Sequence, residues 1–295
     1  MEDHQSYFAA NKISWNKRTG VHKDSAFYDL ESFKKGKSSL NKIELEGLGP
    51  VKGKSLLHLQ CHFGMDTMSW EREGAIVTGV DLSDEAINLA KEIAGELSLQ
   101  AKFICANVYD LANSSKAPYL EAHPPATAGA NGDDAVGREP GGTFDIVFTS
   151  YGTIGWLPDL DKWAAIIAYH LKPGGIFYIA DFHPTLWMMD ENFERIKYDY
   201  FNTAVIAEEN SGTYTDRNAP IKNAEYSWNH PFSEIFSALI KNGLRIESFT
   251  ELPYSPYNCF NNQEQGTDGM WRIKGMDEKM PVMYSIKAVK QARSQ

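Results

Sequence analysis

The chain has 295 residues, a formal net charge of −10, 42% hydrophobic residues, seven tryptophans and three cysteines. Its apolar and aromatic content can fill a sizeable core, which excludes a wholly disordered chain, and its acidic balance argues against a general nucleic-acid binder, which needs clustered Lys and Arg. No uncharged apolar run approaches the ~18 residues that cross a bilayer, and the first residues lack the apolar core of a secretory signal, so a cytoplasmic protein with no membrane partner is expected.

Residues 1–50 are polar and aromatic without strand-like alternation, and read as helices and loops forming an N-terminal helical cover. From residue 51 onward, short β-type runs alternate with helical patterns, the signature of βαβ units around a largely parallel sheet. The strand candidates are SLLHL (55–59), AIVTGVD (75–81), AKFICANV (101–108), FDIVFTS (144–150) and IFYIADF (176–182). Ser83 is a good N-cap with Asp84 and Glu85 in the first turn, and Ala86, Ala90, Ile93, Ala94 and Leu97 form an apolar stripe at helical spacing. Residues 112–143 are dense in Ala, Gly, Pro and Asp with no periodicity, which predicts a flexible surface insertion. Trp163, Ile166, Ile167, His170 and Leu171 mark another helix before the LKPGG stop. The Tyr-rich stretch 184–232 is expected to add an antiparallel lid or extra strands. Ile235, Phe236, Leu239 and Ile240 then line a helix ended by Gly243, and RIESFTEL and PVMYSIKAV supply two more strands. The reading is one α/β domain over 51–295, with a Rossmann-like, doubly wound, seven-stranded, mostly parallel sheet and helices on both faces.

In such sheets ligands bind beyond the C-terminal strand ends, where the connections reverse. The first loop, LLHLQCHFGMDT (56–67), is therefore the first candidate. Asp81 follows Gly64 by 17 positions and ends the second strand, where a carboxylate can accept from both ribose hydroxyls of a nucleoside cofactor. It can also cap the helix beginning near Ser83. Asn107, at the tip of the third strand, has an amide able to read an adenine edge, with the Val108 backbone beside it.

These segments resemble the class I S-adenosylmethionine-dependent methyltransferases. The resemblance is carried by LLHLQCHFG, VTGVDLSDEAINLAK, ANVYDL, FDIVFTSYGTIGWLPDL and LKPGGIFYIADFHP, in order and spacing. It implies S-adenosylmethionine as cofactor and methyl transfer to a small-molecule acceptor by in-line displacement. It also implies that Asp81 binds the ribose, Leu82 covers the adenine, and Asn107 with Val108 holds the adenine's polar edge. Gln60, Cys61, His62 and Gly64 contribute the methionine loop, and Thr149 and Tyr151 lie near the reactive methyl. The chain departs from the family's usual first loop: His58 stands for the acid, and Gln60 and His62 stand for two glycines. Asp66 is then the expected acceptor near the cofactor ammonium.

Candidates for the acceptor wall are Trp15, Trp156, Trp187, Tyr254 and Tyr257, whose aromatic faces suit a sulfonium. His183 and Tyr151 are the catalytic candidates, His183 because an imidazole titrates near neutrality. The His-Pro pair can instead merely shape a turn. His230 precedes a helix and reads as a cap or packing residue. His58 and His62 are four apart but straddle a strand end and a loop, so no metal site is expected. Tyr169 and Lys172 sit one residue too close for a dehydrogenase pair. The odd, distant cysteines exclude a disulfide framework. Two rivals remain: a non-catalytic S-adenosylmethionine or S-adenosylhomocysteine binder, and an NAD-dependent oxidoreductase, which needs a G-x-G-x-x-G turn that QCHFGMD lacks. The oligomer is expected to be a monomer or homodimer.

Overall fold

The computed structural model describes residues 4–111, 144–201 and 204–292. The insertion expected over 112–143 lies outside them. The β-type runs form strands β1 (Ser55–Leu59), β2 (Ile76–Asp81), β3 (Lys102–Cys105), β4 (Phe144–Ser150) and β5 (Leu171–Phe182), the last starting ahead of its expected run and taking in the LKPGG expected as a turn. β3 is shorter than its sequence run. Asn107 Oδ1 accepts from Tyr109 N–H at 3.0 Å and starts a 3₁₀ turn over Val108–Asp110, which ends the strand. Downstream come β6 (Ile206–Ser211), β7 (Lys222–Ser227), β8 (Leu244–Leu252), β9 (Gln263–Gln265), β10 (Trp271–Ile273) and β11 (Met283–Lys290).

Seven strands form one sheet in the order β3-β2-β1-β4-β5-β11-β8. β1 to β5 pair in parallel, and β11 runs antiparallel to both β5 and β8. The connections reverse direction between β1 and β4, so a crevice opens beyond those two strand ends. Both faces are covered, which is why the strands read as continuous apolar runs. Leu57, Val147 and Phe177 face one core layer, while Leu56, Ile146 and Tyr178 face the other.

The helices are α1 (Gln5–His22), α2 (Leu30–Lys34), α3 (Lys42–Leu48), α4 (Met65–Arg72), α5 (Asp84–Glu96), α6 (Leu160–His170) and α7 (Phe232–Lys241). Ser83 caps α5 as expected, its side chain accepting from Ala86 N–H at 3.0 Å. The predicted stripe of α5 is buried at Ala86, Ala90, Ile93 and Ala94. α6 and α7 bury Trp163, Ile167, Ile235 and Leu239 in the first core layer.

The 184–232 stretch contains an antiparallel hairpin, β6–β7. α1 packs along β7. Asn11 Nδ2 donates to Tyr226 O at 2.8 Å, and Tyr226 N–H donates to Asn11 Oδ1 at 2.9 Å. One side-chain amide thus satisfies both main-chain groups of an edge residue.

Candidate functional site

The turn after β1 reverses the chain in four residues. Gln60 (φ 57°), His62 (φ 51°) and Gly64 (φ 75°) all take left-handed backbone. At Gly64 this is enforced twice, because a Cβ there would lie 2.4 Å from Phe103 Cε1. The turn is pinned by Cys61 N–H to Val80 O (2.9 Å) and Gly64 N–H to Cys61 O (2.9 Å), and α4 begins directly after it. Gly79 on β2 is equally constrained, since a Cβ would meet Cys61 Sγ at 2.8 Å.

Asp81 stands beside this turn. Its Oδ2 accepts from His62 N–H at 2.7 Å and its Oδ1 from Ser83 N–H at 2.9 Å. Burial pushes its carboxyl up to about 6, with those backbone donors pulling the other way. Each oxygen keeps a lone pair for a further donor. Leu82, Asn107 and Val108 continue the same wall. Asn107 Oδ1 is taken by Tyr109, so its NH₂ group is the polar edge it can offer.

Across the crevice, Tyr151 follows β4 with φ 56°, an uncommon backbone for a tyrosine. Asp181, at the end of β5, holds this turn: it accepts from Gly152 N–H, from Thr153 N–H at 3.0 Å and from Thr153 Oγ1 at 3.0 Å. The Tyr151 hydroxyl lies close enough to the Glu44 carboxyl of α3 for the two to interact electrostatically, and its ring meets Tyr257 edge-on at 4.8 Å. Asn41 Nδ2 donates to the Tyr257 hydroxyl at 2.8 Å. Glu44 is fully buried, and desolvation together with the nearby Asp66 carboxyl pushes it up to about 8. Asp66 accepts from Ser39 Oγ at 2.6 Å and Ser150 Oγ at 3.2 Å, and burial raises it as well.

The aromatic wall comes from separate elements. Trp15 of α1 lies 5.3 Å from the His62 ring and 5.5 Å from Trp156. The Arg18 guanidinium sits over both indoles, at 5.1 and 5.6 Å, and pairs with the buried Glu225 of β7 at 2.5 Å. Trp187 packs edge-on against Phe182 and Phe260.

These groups share one cavity of about 780 Å³, within the ~300–1,000 Å³ usual for small-molecule sites. It brings together Gln60, Cys61, His62, Gly64, Asp66, Asp81, Leu82, Asn107, Val108 and Tyr151, with Trp15, Trp156, Trp187 and Tyr257. Three predicted residues lie outside it. Thr149 is buried within the sheet, its Oγ1 donating to Leu59 O at 3.1 Å. Tyr254 packs under the Arg272 guanidinium. His183 is buried with both ring nitrogens engaged, one with Thr185 Oγ1 and one with Glu251 Oε1, each at 2.8 Å, against Phe232. Burial lowers its pKa, with Glu251 opposing. His230 is bonded to Leu157 O and Glu234, as a packing residue.

Glu44, Asp181, Arg18 and Glu225 were missed by the sequence reading. Glu44 had one available signal: NKIE is a capping-box pattern, with Asn41 N–H donating to Glu44 Oε2 at 3.1 Å. Among the described residues, no group of three His, Cys, Asp or Glu is placed to hold a metal ion, and no helix is long and apolar enough to cross a membrane.

The cavity fits S-adenosylmethionine on its own terms. Asp81 offers acceptors for a diol, and Leu82 and Val108 line the cavity with it. Gln60 Oε1 and His62 Nδ1 are buried polar atoms without a protein partner. Comparison with known proteins agrees. Residues 57–177 match the family model described as a methyltransferase domain. The chain is 26% identical over 207 residues to a ubiquinone biosynthesis O-methyltransferase of Coxiella burnetii, covering 70% of each. It is 24% identical to the protein of the same name from Thiobacillus denitrificans, over 74% of this chain and 76% of that one. In fold it is similar to a putative S-adenosylmethionine-dependent methyltransferase from Listeria monocytogenes, with a TM-score of 0.53, 19% identity, and coverage of 84% of this chain and 96% of that one.

Proposed function

We propose that this chain, which carries the class I S-adenosylmethionine-dependent methyltransferase domain, methylates a hydroxyl group on a small aromatic acceptor. Methyl transfer from S-adenosylmethionine to a small molecule is the activity of the domain; the hydroxyl and the aromatic ring are the finer part of the reading. The observation that carries it is the continuity of the cavity, whose lining joins the strand tips to aromatic side chains that include Tyr151, with Glu44 buried beside it. Support comes also from the relatives named as O-methyltransferases.

When bound, S-adenosylmethionine supplies the activated methyl carbon for an in-line displacement. Asp81 holds the ribose, Leu82 and Val108 the adenine faces, and the Asn107 amide its edge. Trp156, Trp187, Phe182 and Phe260 exclude water and orient the acceptor ring. As the acceptor oxygen attacks, its proton passes to Tyr151 Oη, and the Tyr151 proton passes to the Glu44 carboxylate. α1 and the β6–β7 hairpin serve as cover and lid, supported by the Arg18–Glu225 pair that joins them. The reading includes a cytoplasmic location, supported by three free cysteines.

Calorimetric titration with S-adenosylhomocysteine and with NAD, followed by a labelled-methyl screen of phenols, catechols, amines, thiols and carboxylates, tests this. Heat with S-adenosylhomocysteine and label on phenols or catechols is expected. Label confined to amines or thiols overturns the hydroxyl assignment, and silence across all classes favours a non-catalytic binder.

A further inference from the structure

The first loop carries an imidazole where backbone alone is expected to meet the cofactor. His62 Nε2 lies 2.9 Å from His22 Nδ1, and His22 Nε2 lies 2.6 Å from Thr213 Oγ1. The rings are boxed by Trp15, Tyr28 and Phe63. His62 Nδ1 is left: it is buried, has no protein partner, and belongs to a residue that lines the cavity. A buried ring nitrogen with nothing to bond is costly, so a ligand group that satisfies it gains affinity.

We propose that the His62 imidazole donates its Nδ1–H to the carboxylate at the amino-acid end of S-adenosylmethionine, and that His22 and Thr213 fix the tautomer that makes it a donor. This rests on S-adenosylmethionine being the ligand. Two directions of donation satisfy these contacts, and the one that leaves a donor at His62 Nδ1 is the one proposed. Burial holds both rings neutral, with His22 lowered to about 2 and His62 to about 3, so each has one N–H and one lone pair. In that direction the Thr213 hydroxyl donates to His22 Nε2, His22 Nδ1–H donates to His62 Nε2, and the remaining ring proton sits on His62 Nδ1. The opposite order would leave Nδ1 a bare acceptor. The loop already has acceptors in Gln60 Oε1, which is buried and unpartnered, and in the Asp66 carboxyl. A zwitterionic amino acid needs both signs: these acceptors suit the ammonium, and His62 supplies the side-chain donor for the carboxylate. His62 touches the cofactor; His22 and Thr213 act through it as positioning residues.

The test is calorimetric and needs no acceptor. His62→Phe keeps the ring packing and removes the nitrogens; His62→Ala is its second form. Each is titrated with S-adenosylmethionine, with its decarboxylated analogue, and with methylthioadenosine, which lacks the amino acid. The expected result is a loss of roughly tenfold or more for S-adenosylmethionine. Affinity for the other two should stay within about twofold of the wild type, which also shows that the variant is folded. His22→Phe should weaken S-adenosylmethionine in the same selective way but less. Equal loss for all three ligands, or no loss for any, overturns the proposal. Loss that persists with the decarboxylated analogue assigns His62 to the ammonium and overturns the carboxylate. Wild-type protein that binds none of the three refutes the methyltransferase reading itself.

Discussion

Asp81 accepts the main-chain N–H of His62 at 2.7 Å, so the carboxylate at the end of β2 holds the turn at the end of β1. The same group therefore shapes the site in which it is proposed to bind. Asp81→Ala should weaken S-adenosylmethionine by at least tenfold, about 1.4 kcal/mol. Asp81→Asn should fall between, since its amide oxygen can still accept one donor. Calorimetry on folded variants decides this; unchanged affinity would remove the ribose assignment.

The same carboxyl predicts a pH dependence. Its folded value of about 6 lies above the ~3.9 of an unfolded chain, so between those values the folded state binds more protons than the unfolded one. This group's contribution to stability is thus largest in acid and declines as pH rises from about 4 to 6. Cofactor binding has the opposite trend, because ribose hydroxyls donate to the ionised form. Affinity for S-adenosylhomocysteine should drop as pH falls through about 6, and Asp81→Asn should flatten that drop. His62 and His22, held neutral, take no part in this range.

Glu44 must be ionised to receive a proton through Tyr151, and burial has pushed it up to about 8. With a hydroxyl acceptor in hand, kcat should therefore rise with pH to a plateau above about 8. Glu44→Gln should lose that limb and slow transfer by about a hundredfold, the lower end of proton-transfer catalysis. Tyr151→Phe should slow it comparably while leaving S-adenosylhomocysteine affinity intact. A Glu44→Gln enzyme with the wild-type profile would exclude the relay.

Arg18 and Glu225 form an ion pair with little access to water, flanked by Ser14 Oγ at 2.6 Å from Glu225 Oε1 and Asn210 Nδ2 at 3.0 Å from Oε2. Arg18→Ala leaves a buried carboxylate without its cation and should cost about 3–5 kcal/mol. Arg18→Met combined with Glu225→Gln should cost less than Arg18→Ala. Urea unfolding of the three proteins measures the difference.

Gly64→Ala places a methyl 2.4 Å from Phe103 in left-handed backbone. It should destabilise the fold by about 2–4 kcal/mol, from strain and overpacking together. Thermal melts would show it, and Phe103→Ala in the same chain should recover only the steric part.

The parts legible in the sequence are those written locally. β1 and β4 keep the bounds of their apolar runs, Ser83 caps α5, and Asp81 with the first turn falls at the sheet's reversal point. His183 shows the limit of position alone. It follows a strand tip at the ligand edge, yet Thr185 and Glu251, 68 residues further on, engage both ring nitrogens. Arg18 and Glu225 are separated by about two hundred residues, and nothing near either one announces the other. Glu44 was hidden differently: in sequence it is an ordinary helix-capping acid, and only the packing of α3 brings it to Tyr151.

The amide bracket between Asn11 and Tyr226 has a temporal consequence. During synthesis α1 leaves the ribosome well before its edge-strand partner, which is more than two hundred residues behind it. The helix has little apolar stripe of its own, so it stays unpaired until β7 has been made. A nascent protein halted before β7 would therefore carry β1 to β5 with α1 undocked and β8 and β11 still to come, its site open to water.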